Sequence, residues 1–377
     1  LPVGVPSYVL TGSCKQSSSN GVREQNIMSE RDLPTIVESE AQLEELLSRP
    51  HEETIAALSR CTGDLMILGV GGKVGPSLAR MAVRAFAAAG KNAKVFGVSR
   101  FSDVELRRDL QLAGVHPIPC DLLNFREVEQ LPKVPYVIFL AGRKFGGRGT
   151  EPLTWATNTA VPLCLAPLLA EAERLVAFST GCVYPLVPVH SSGCSEEHSV
   201  GPVGEYAWSC LGRERIFEYL CEHWHAPTVL IRLNYAHALR YGVLTDIASD
   251  IAAGRRVSLR VPAVNIIWQG DMNNWTLRSI ALAEVPARKL NVSGLRKLWV
   301  REVALSLAAQ MGKDVHFADD EGKVAYLTDA RRAHEIFGHP QVDEETMIRW
   351  TAHWVGHRMP LLGRPTHFQV TDGQFLD

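Results

Sequence analysis

The chain has 377 residues, 46% of them hydrophobic and 21% charged, with a net charge of −2. That composition belongs to a globular protein long enough for one large core or two lobes, and the near-neutral balance leaves no basic field to attract nucleic acid or an acidic membrane. No apolar run reaches the about eighteen residues that a bilayer-spanning helix needs.

The first residues, LPVGVPSYVLTGSC, carry no basic residue ahead of their apolar part, which argues against a signal peptide. A lipoprotein signal ending at Cys14 is the sharper alternative, but its leucine stands one position too far from the cysteine. KQSSSNGVREQN is polar and poor in hydrophobes, so residues 1–34 read as a disordered extension, with 1–27 lying upstream of Met28 and outside the fold. The eight cysteines include no C-x-x-C pair and several fall in apolar runs. They read as buried thiols of a reducing compartment rather than a disulfide framework or zinc site, and the expected localisation is cytoplasmic.

From Ser39 to Arg60 the leucines Leu43, Leu46 and Leu47 fall at helical spacing, and Pro50 breaks the run. This gives an N-terminal helical segment over 35–62. Strand and helix signals then alternate. DLMILGV is a first strand, PSLARMAVRAFAAAG a helix stopped at Gly90, AKVFGVSR a second strand, and DVELRRDLQLAG a helix ending at Gly114. HPIPCD is a short third strand and YVIFLAG a fourth, apolar enough to be covered on both faces. WATNTAVPLCLAPLLAEAE predicts one long helix kinked at Pro162 and Pro167. RLVAFST is a fifth strand, Gly204 to Glu222 a helix, and TVLIRLN a sixth strand. Such alternation predicts an α/β fold, a doubly wound parallel sheet over 63–234, open to strands or helices added from later in the chain. Residues 235–377, where the rhythm loosens, are expected to form mainly a smaller C-terminal substrate lobe and a tail.

The first strand runs into Gly69-Val70-Gly71-Gly72-Lys73-Val74-Gly75. Glycines here permit a tight turn, close approach of backbone to a pyrophosphate, and close packing of helix on strand. The helix start then offers free N–H groups to the phosphates. The position between a strand and a helix is the context that gives the spacing weight. The second strand ends at Ser99-Arg100, where an NAD site usually has an acid. A cation there can pair with a 2′-phosphate, so NADP is favoured and NAD remains possible, with Lys73 assisting; the competing reading makes Arg100 a solvated surface residue. Asp121 is placed to meet the adenine amino group, or to cap a helix.

At this point the sequence resembles the extended short-chain dehydrogenase/reductases, the NAD-dependent epimerase/dehydratase family, over about residues 63–340. The resemblance rests on the glycine loop, Asp121, FLAG at 139–142, Asn158, STGCVYP at 179–185, Tyr206 with Ser209, LIRLN at 230–234, NIIWQGD at 265–271 and LNVSG at 290–294. It implies a Rossmann-type domain and hydride transfer at a carbon of a sugar-like small molecule, with a homodimer as the assembly to look for. The cofactor-binding set becomes the loop residues Gly69, Gly71, Gly72, Lys73, Val74 and Gly75, then Ser99, Arg100, Asp121, Leu122, Leu140, Ala141, Gly142 and Asn158. Thr180 matches the family residue that hydrogen-bonds the reacting oxygen, and Tyr206 the tyrosine acid/base. Both also fall just past strand ends, where open α/β sheets bind ligands. Arg232, Asn234 and Arg240 fall where the family places substrate contacts, although Arg232 can equally be a structural ion-pair partner.

The family's lysine four residues after the tyrosine is here Cys210. A free tyrosine has a pKa of about 10, so only about one in a thousand is phenolate at neutral pH. A thiolate beside it pushes that value up, and a neutral thiol gives no help. The loss harms alcohol oxidation, which needs the phenolate, more than ketone reduction, which needs the phenol. Three resolutions follow: Lys144 reaches in as a replacement cation, the nicotinamide's own charge suffices, or the chain is a reductase or a cofactor-binding regulator without turnover. Gly181 and Cys182 replace the Asp-Glu pair of the family's sugar 4,6-dehydratases, which disfavours that reaction. The histidines at 334, 339, 353 and 357 lack an H-E-x-x-H arrangement and are read as surface residues, with no metal expected.

Overall fold

The computed structural model describes residues 33–144 and 149–375. The expected N-terminal extension, with Cys14, lies outside the described residues apart from Leu33 and Pro34. Everything below concerns the unit that begins at Pro34.

Seven strands form one parallel sheet: β1 (Leu65–Leu68), β2 (Val95–Ser99), β3 (His116–Pro119), β4 (Tyr136–Phe139), β5 (Arg174–Thr180), β6 (Thr228–Leu233) and β7 (Arg288–Val292). Their spatial order is β7-β6-β5-β4-β1-β2-β3. Chain progress runs outward in both directions from β1 and β4, so the topological switch point lies between them. There the carboxyl ends of the strands open a crevice. Side chains of β1 alternate between the two cores: Leu65 and Ile67 join Leu78, Phe86 and Trp275 on one face, while Met66 and Leu68 join Phe139, Leu165 and Phe217 on the other. A strand covered on both sides cannot show a polar alternation, which is why its sequence is a continuous apolar run.

Helices α1 (Glu40–Ser48) and α2 (Glu52–Leu58) break around Pro50, as the leucine spacing predicts. Ser39 caps α1 by accepting from the Gln42 amide. α3 (Gly75–Ala88) follows the glycine loop and α4 (Val104–Leu112) precedes β3. A short helix, α5 (Phe125–Glu129), follows Asp121; Asn124 caps it by accepting from the Arg126 amide.

The single long helix expected over 155–173 is broken into pieces. α6 (Glu151–Trp155) passes into a π-turn at Ala156–Ala160 and then into single turns at Val161–Cys164 and Ala166–Leu169. Pro162 and Pro167 cannot donate to the helical ladder, so the chain re-forms after each. The π-turn rotates Asn158 into the interior, where it is fully buried.

α7 (Gly204–Trp224) packs beside β5. Later come α8 (Val243–Ala252), α9 (Gln269–Arg278), α10 (Val300–Met311) and α11 (Glu344–Gly356), of which α8, α10 and α11 pack on one another. No helix among the described residues is long and apolar enough to cross a membrane.

Candidate functional site

The glycine loop turns over the end of β1 in the way its composition requires. Gly69 has a φ of +87°, and a Cβ on it would stand 2.6 Å from the Ala141 amide nitrogen. A Cβ on Gly75 would stand 2.2 Å from the Val70 carbonyl oxygen, so glycine is required for α3 to start so close to the loop. A Cβ on Gly71 would meet Ser99 Oγ at 2.5 Å, which brings loop and β2 end together. Gly72 differs: a Cβ there would approach only the Gly69 carbonyl oxygen, at 3.5 Å, among the described residues. No side chain caps α3, whose N-cap is Val74.

Lys73 lies over the Tyr241 ring, 3.3 Å from its centre. Arg100 is exposed. Asp121 accepts from the Leu123 amide at 3.1 Å in a turn of its own, and the capping alternative for it gives way to Asn124. Leu122 is buried in the core. The Leu140 amide donates to the Leu68 carbonyl at 2.8 Å, which extends β1 and β4 toward the crevice.

Beyond β4 the chain meets a buried polar cluster. Asn158 Oδ1 accepts from the Arg143 amide at 2.9 Å and from Arg213 Nη2 at 2.6 Å; its Nδ2 donates to the Arg143 carbonyl and to Ser209 Oγ. Asn158 thus ties the loop after β4 to α7. A Cβ on Gly142 would come 2.9 Å from Arg213 Nη2, so this loop packs directly on the cluster. Ser209 donates in turn to the Tyr206 carbonyl.

Thr180 ends β5 and accepts from the Cys182 amide at 3.2 Å. Its side chain and that of Cys210 lie near enough to the Tyr206 phenol to act on its ionisation. Burial pushes that phenol well above the usual tyrosine range, and the neighbouring Cys210 and Cys182 add to the push. Arg213 and Thr180 pull the other way. Burial likewise raises the Cys210 thiol, against the opposing effects of Arg213 and Tyr206. Arg213 Nη2 lies 3.5 Å from Cys210 Sγ and its Nη1 donates to the Phe178 carbonyl. The sequence reading missed Arg213. The signal was present, because Tyr206, Cys210 and Arg213 fall at i, i+4 and i+7, one face of a helix.

Lys144 enters from the loop after β4. Its Nζ stands 6.0 Å from the centre of the Tyr206 ring and 4.4 Å from that of Phe375. Burial lowers its pKa, opposed by Cys182, Asp246 and Cys210.

The three residues expected at the substrate are engaged elsewhere. Arg232 is 1% exposed, and its guanidinium donates to both oxygens of the fully buried Glu214 and to the Tyr184 hydroxyl. The expected substrate contact gives way to the ion-pair alternative, since every guanidinium nitrogen has a protein acceptor. Arg240 pairs with Glu40 and Glu44 of α1. Asn234 Nδ2 donates to Asn265 Oδ1 at 2.8 Å and to the Tyr326 carbonyl.

A family model described as the NAD dependent epimerase/dehydratase family matches residues 65–261. Among solved structures, the dTDP-glucose 4,6-dehydratase of Bacillus anthracis str. Ames, in complex with NAD, is similar with a TM-score of 0.65 and 16% identity, over 79% of this chain and 97% of that one. The UDP-glucuronic acid 4-epimerase from Bacillus cereus, in complex with UDP-glucuronic acid and NAD, has a TM-score of 0.66 and 17% identity, over 78% of this chain and 99% of that one. At these identities the likeness shows the fold. No curated protein matches the chain.

Proposed function

The chain belongs to the NAD-dependent epimerase/dehydratase family, and on that premise we propose that it is a nicotinamide-dependent enzyme acting by hydride transfer on a sugar or nucleotide-sugar-like substrate. The observation that carries this reading is the Lys144 Nζ 6.0 Å from the ring of Tyr206, whose buried phenol has Thr180 and Cys210 as neighbours that act on its ionisation.

The residues present fit the cofactor. Gly69 and Gly75 are packed against backbone too tightly for any side chain, while Gly72 leaves open room beside the start of α3, where a pyrophosphate would meet backbone N–H groups. When bound, the nicotinamide would supply the hydride acceptor or donor. Tyr206 would give a proton to a ketone oxygen, or take one from an alcohol, with Thr180 holding the same oxygen. The solved relatives named above hold NAD; a preference for NADP rests on Ser99 and Arg100 alone.

In the neutral phenol that burial favours, Tyr206 is ready to act as an acid. To act as a base it needs positive charge nearby. Lys144 and Arg213, from different elements, would supply what the helix lysine supplies in the family. Elimination of the 4,6-dehydratase kind is disfavoured on two grounds. Neither Gly181 nor Cys182 is a carboxylic acid, and a Cβ on Gly181 would already stand 3.0 Å from Thr328 Oγ1. An epimerase or oxidoreductase is the better reading. A homodimer through the helical pieces over 151–169 and α7 belongs to the same proposal, since Leu153, Leu163, Trp208 and Tyr219 are exposed there.

The test is turnover of a panel of UDP- and dTDP-sugars with NAD and with NADP, in the wild type and in Tyr206→Phe. Turnover in the wild type that Tyr206→Phe abolishes supports the reading. Equal turnover in both, or binding of cofactor without any turnover, contradicts it and favours a regulatory cofactor binder.

A further inference from the structure

The end of the chain covers both Tyr206 and Lys144. Residues 359–375 contain no regular helix or strand, yet Thr366, Phe368, Gly373 and Phe375 are buried. Loops normally run over the surface, so an irregular segment whose second half turns four residues inward requires specific anchors, and three are present.

The first anchor is Asp246 on α8. Its Oδ2 accepts from the Thr366 amide at 2.7 Å and from the Thr366 hydroxyl at 2.5 Å. The second is a contact of backbone on backbone at the start of α7. A Cβ on Gly373 would stand 2.3 Å from the Val203 carbonyl oxygen, and a Cβ on Gly204 2.4 Å from the Gly373 carbonyl oxygen. Both glycines have positive φ, +73° and +81°. The third is Phe375, which meets the Tyr206 ring edge-on at 5.6 Å and packs with Cys182, Ala207 and Tyr326.

The segment also holds Lys144. The Lys144 ammonium donates to the Thr366 carbonyl at 2.9 Å, so the residue that Asp246 grips by its amide and hydroxyl grips Lys144 by its carbonyl. Lysine carries a compact charge on a flexible four-carbon stem, and a defined position for that charge needs a fixed acceptor. Among the described residues the charged and titratable neighbours of this ammonium include Asp246, Cys182 and Cys210, and the Tyr206 ring centre is 6.0 Å away.

We infer that the C-terminal segment is a working part of the reaction site, in which Asp246 and Thr366 are positioning residues that hold the Lys144 ammonium beside Tyr206. In the family pattern a lysine on the tyrosine's own helix needs no such support. Here the cation comes from the loop after β4, and its place is fixed by residues more than a hundred positions away in the chain. The inference rests on the reading of Lys144 as the cation that serves Tyr206.

The experiment uses the full chain with Gly373→Ala, which drives a methyl into the Val203 carbonyl, and Asp246→Asn, which weakens the grip on Thr366 without changing size. Lysines are trace-acylated across pH and quantified peptide by peptide, with the exposed Lys94 and Lys313 as internal controls. In the wild type the Lys144 plateau rate should fall severalfold below the controls. In both variants it should rise toward them while the controls stay unchanged. The pH profile of the oxidative reaction should also move to higher pH, as in Lys144→Met; loss of structure alone would lower amplitude without moving the profile. An unchanged Lys144 plateau in either folded variant overturns the inference. A raised plateau together with full turnover in Lys144→Met upholds the positioning and overturns instead the reading on which it rests.

Discussion

Lys144 Nζ and the Tyr206 ring centre lie 6.0 Å apart, although the two residues come from different elements and the helix position four after Tyr206 holds a thiol. On the proposed reading, Lys144 takes the place of the helix lysine by a long-range route. Tyr206→Phe should reduce turnover by about 10²–10⁴-fold, the usual share of a general acid/base, and leave the affinity for NADH unchanged. Lys144→Met should slow alcohol oxidation by about tenfold or more, worth some 1.4 kcal/mol at the barrier, and ketone reduction much less. Steady-state rates in the two directions check the asymmetry. Equal effects would mean that Lys144 does not act on the ionisation of Tyr206.

Restoring the family pattern by Cys210→Lys should not raise turnover. Cys210 is fully buried and Arg213 Nη2 is 3.5 Å from its sulfur. A second cation there would face a like charge and lose its hydration, at an effective cost of several kcal/mol. Chemical denaturation should show that loss, with turnover at or below the wild-type level. A stable, faster variant would show that Lys144 and Arg213 are not the substitutes.

Glu214→Gln should destabilise the protein by about 3–5 kcal/mol, the loss typical of a buried pair that loses one partner. The variant leaves the Arg232 guanidinium, 1% exposed, without its counter-charge. Urea unfolding measures the change. A difference under about 1 kcal/mol, the range of an exposed pair, would show that the pair is open to water.

The stability should depend on pH through His237. Burial lowers its imidazole to about 3, and its Nε2 is 2.9 Å from Thr351 Oγ1. As pH falls from the unfolded value of about 6.5 toward 3, the unfolded chain binds a proton that the folded chain refuses. Stability present above pH 6.5 is thus lost on acidification. His237→Gln removes the titration, so its melting temperature should fall less steeply between pH 6.5 and 4 than that of the wild type. Parallel curves would contradict the assignment.

The first six strands and the glycine loop are legible in the sequence because each is local, whereas the spatial strand order and the edge strand Arg288–Val292 are set by distant pairings. Four consecutive apolar residues, Leu65–Leu68, announce a strand covered on two faces, and Gly69 and Gly75 stand where no side chain fits. The pieces over 151–169 were less legible, since a π-turn at Ala156–Ala160 has the same composition as a helix. Arg213 was readable by helical spacing from Tyr206. The grip of Asp246 on Thr366 and of Gly373 on Gly204 was not, because contacts between distant segments leave no mark on either one alone. Arg232 shows the reverse hazard: its place matches a family substrate contact, and only the buried Glu214 beside it reveals what it does.

The most direct test of the account is a fluorescence titration with NADH and NADPH on the wild type and on Gly72→Val. Among the described residues a Cβ at Gly72 meets no atom closer than 3.5 Å, so the variant should fold with an unchanged circular dichroism spectrum. It should nevertheless lose affinity by about tenfold or more, some 1.4 kcal/mol, because its side chain would take the room left for the pyrophosphate. Saturable binding to the wild type and its loss in folded Gly72→Val is the predicted result. Absence of binding to the wild type, or equal binding to both, would contradict a working nicotinamide site in this chain.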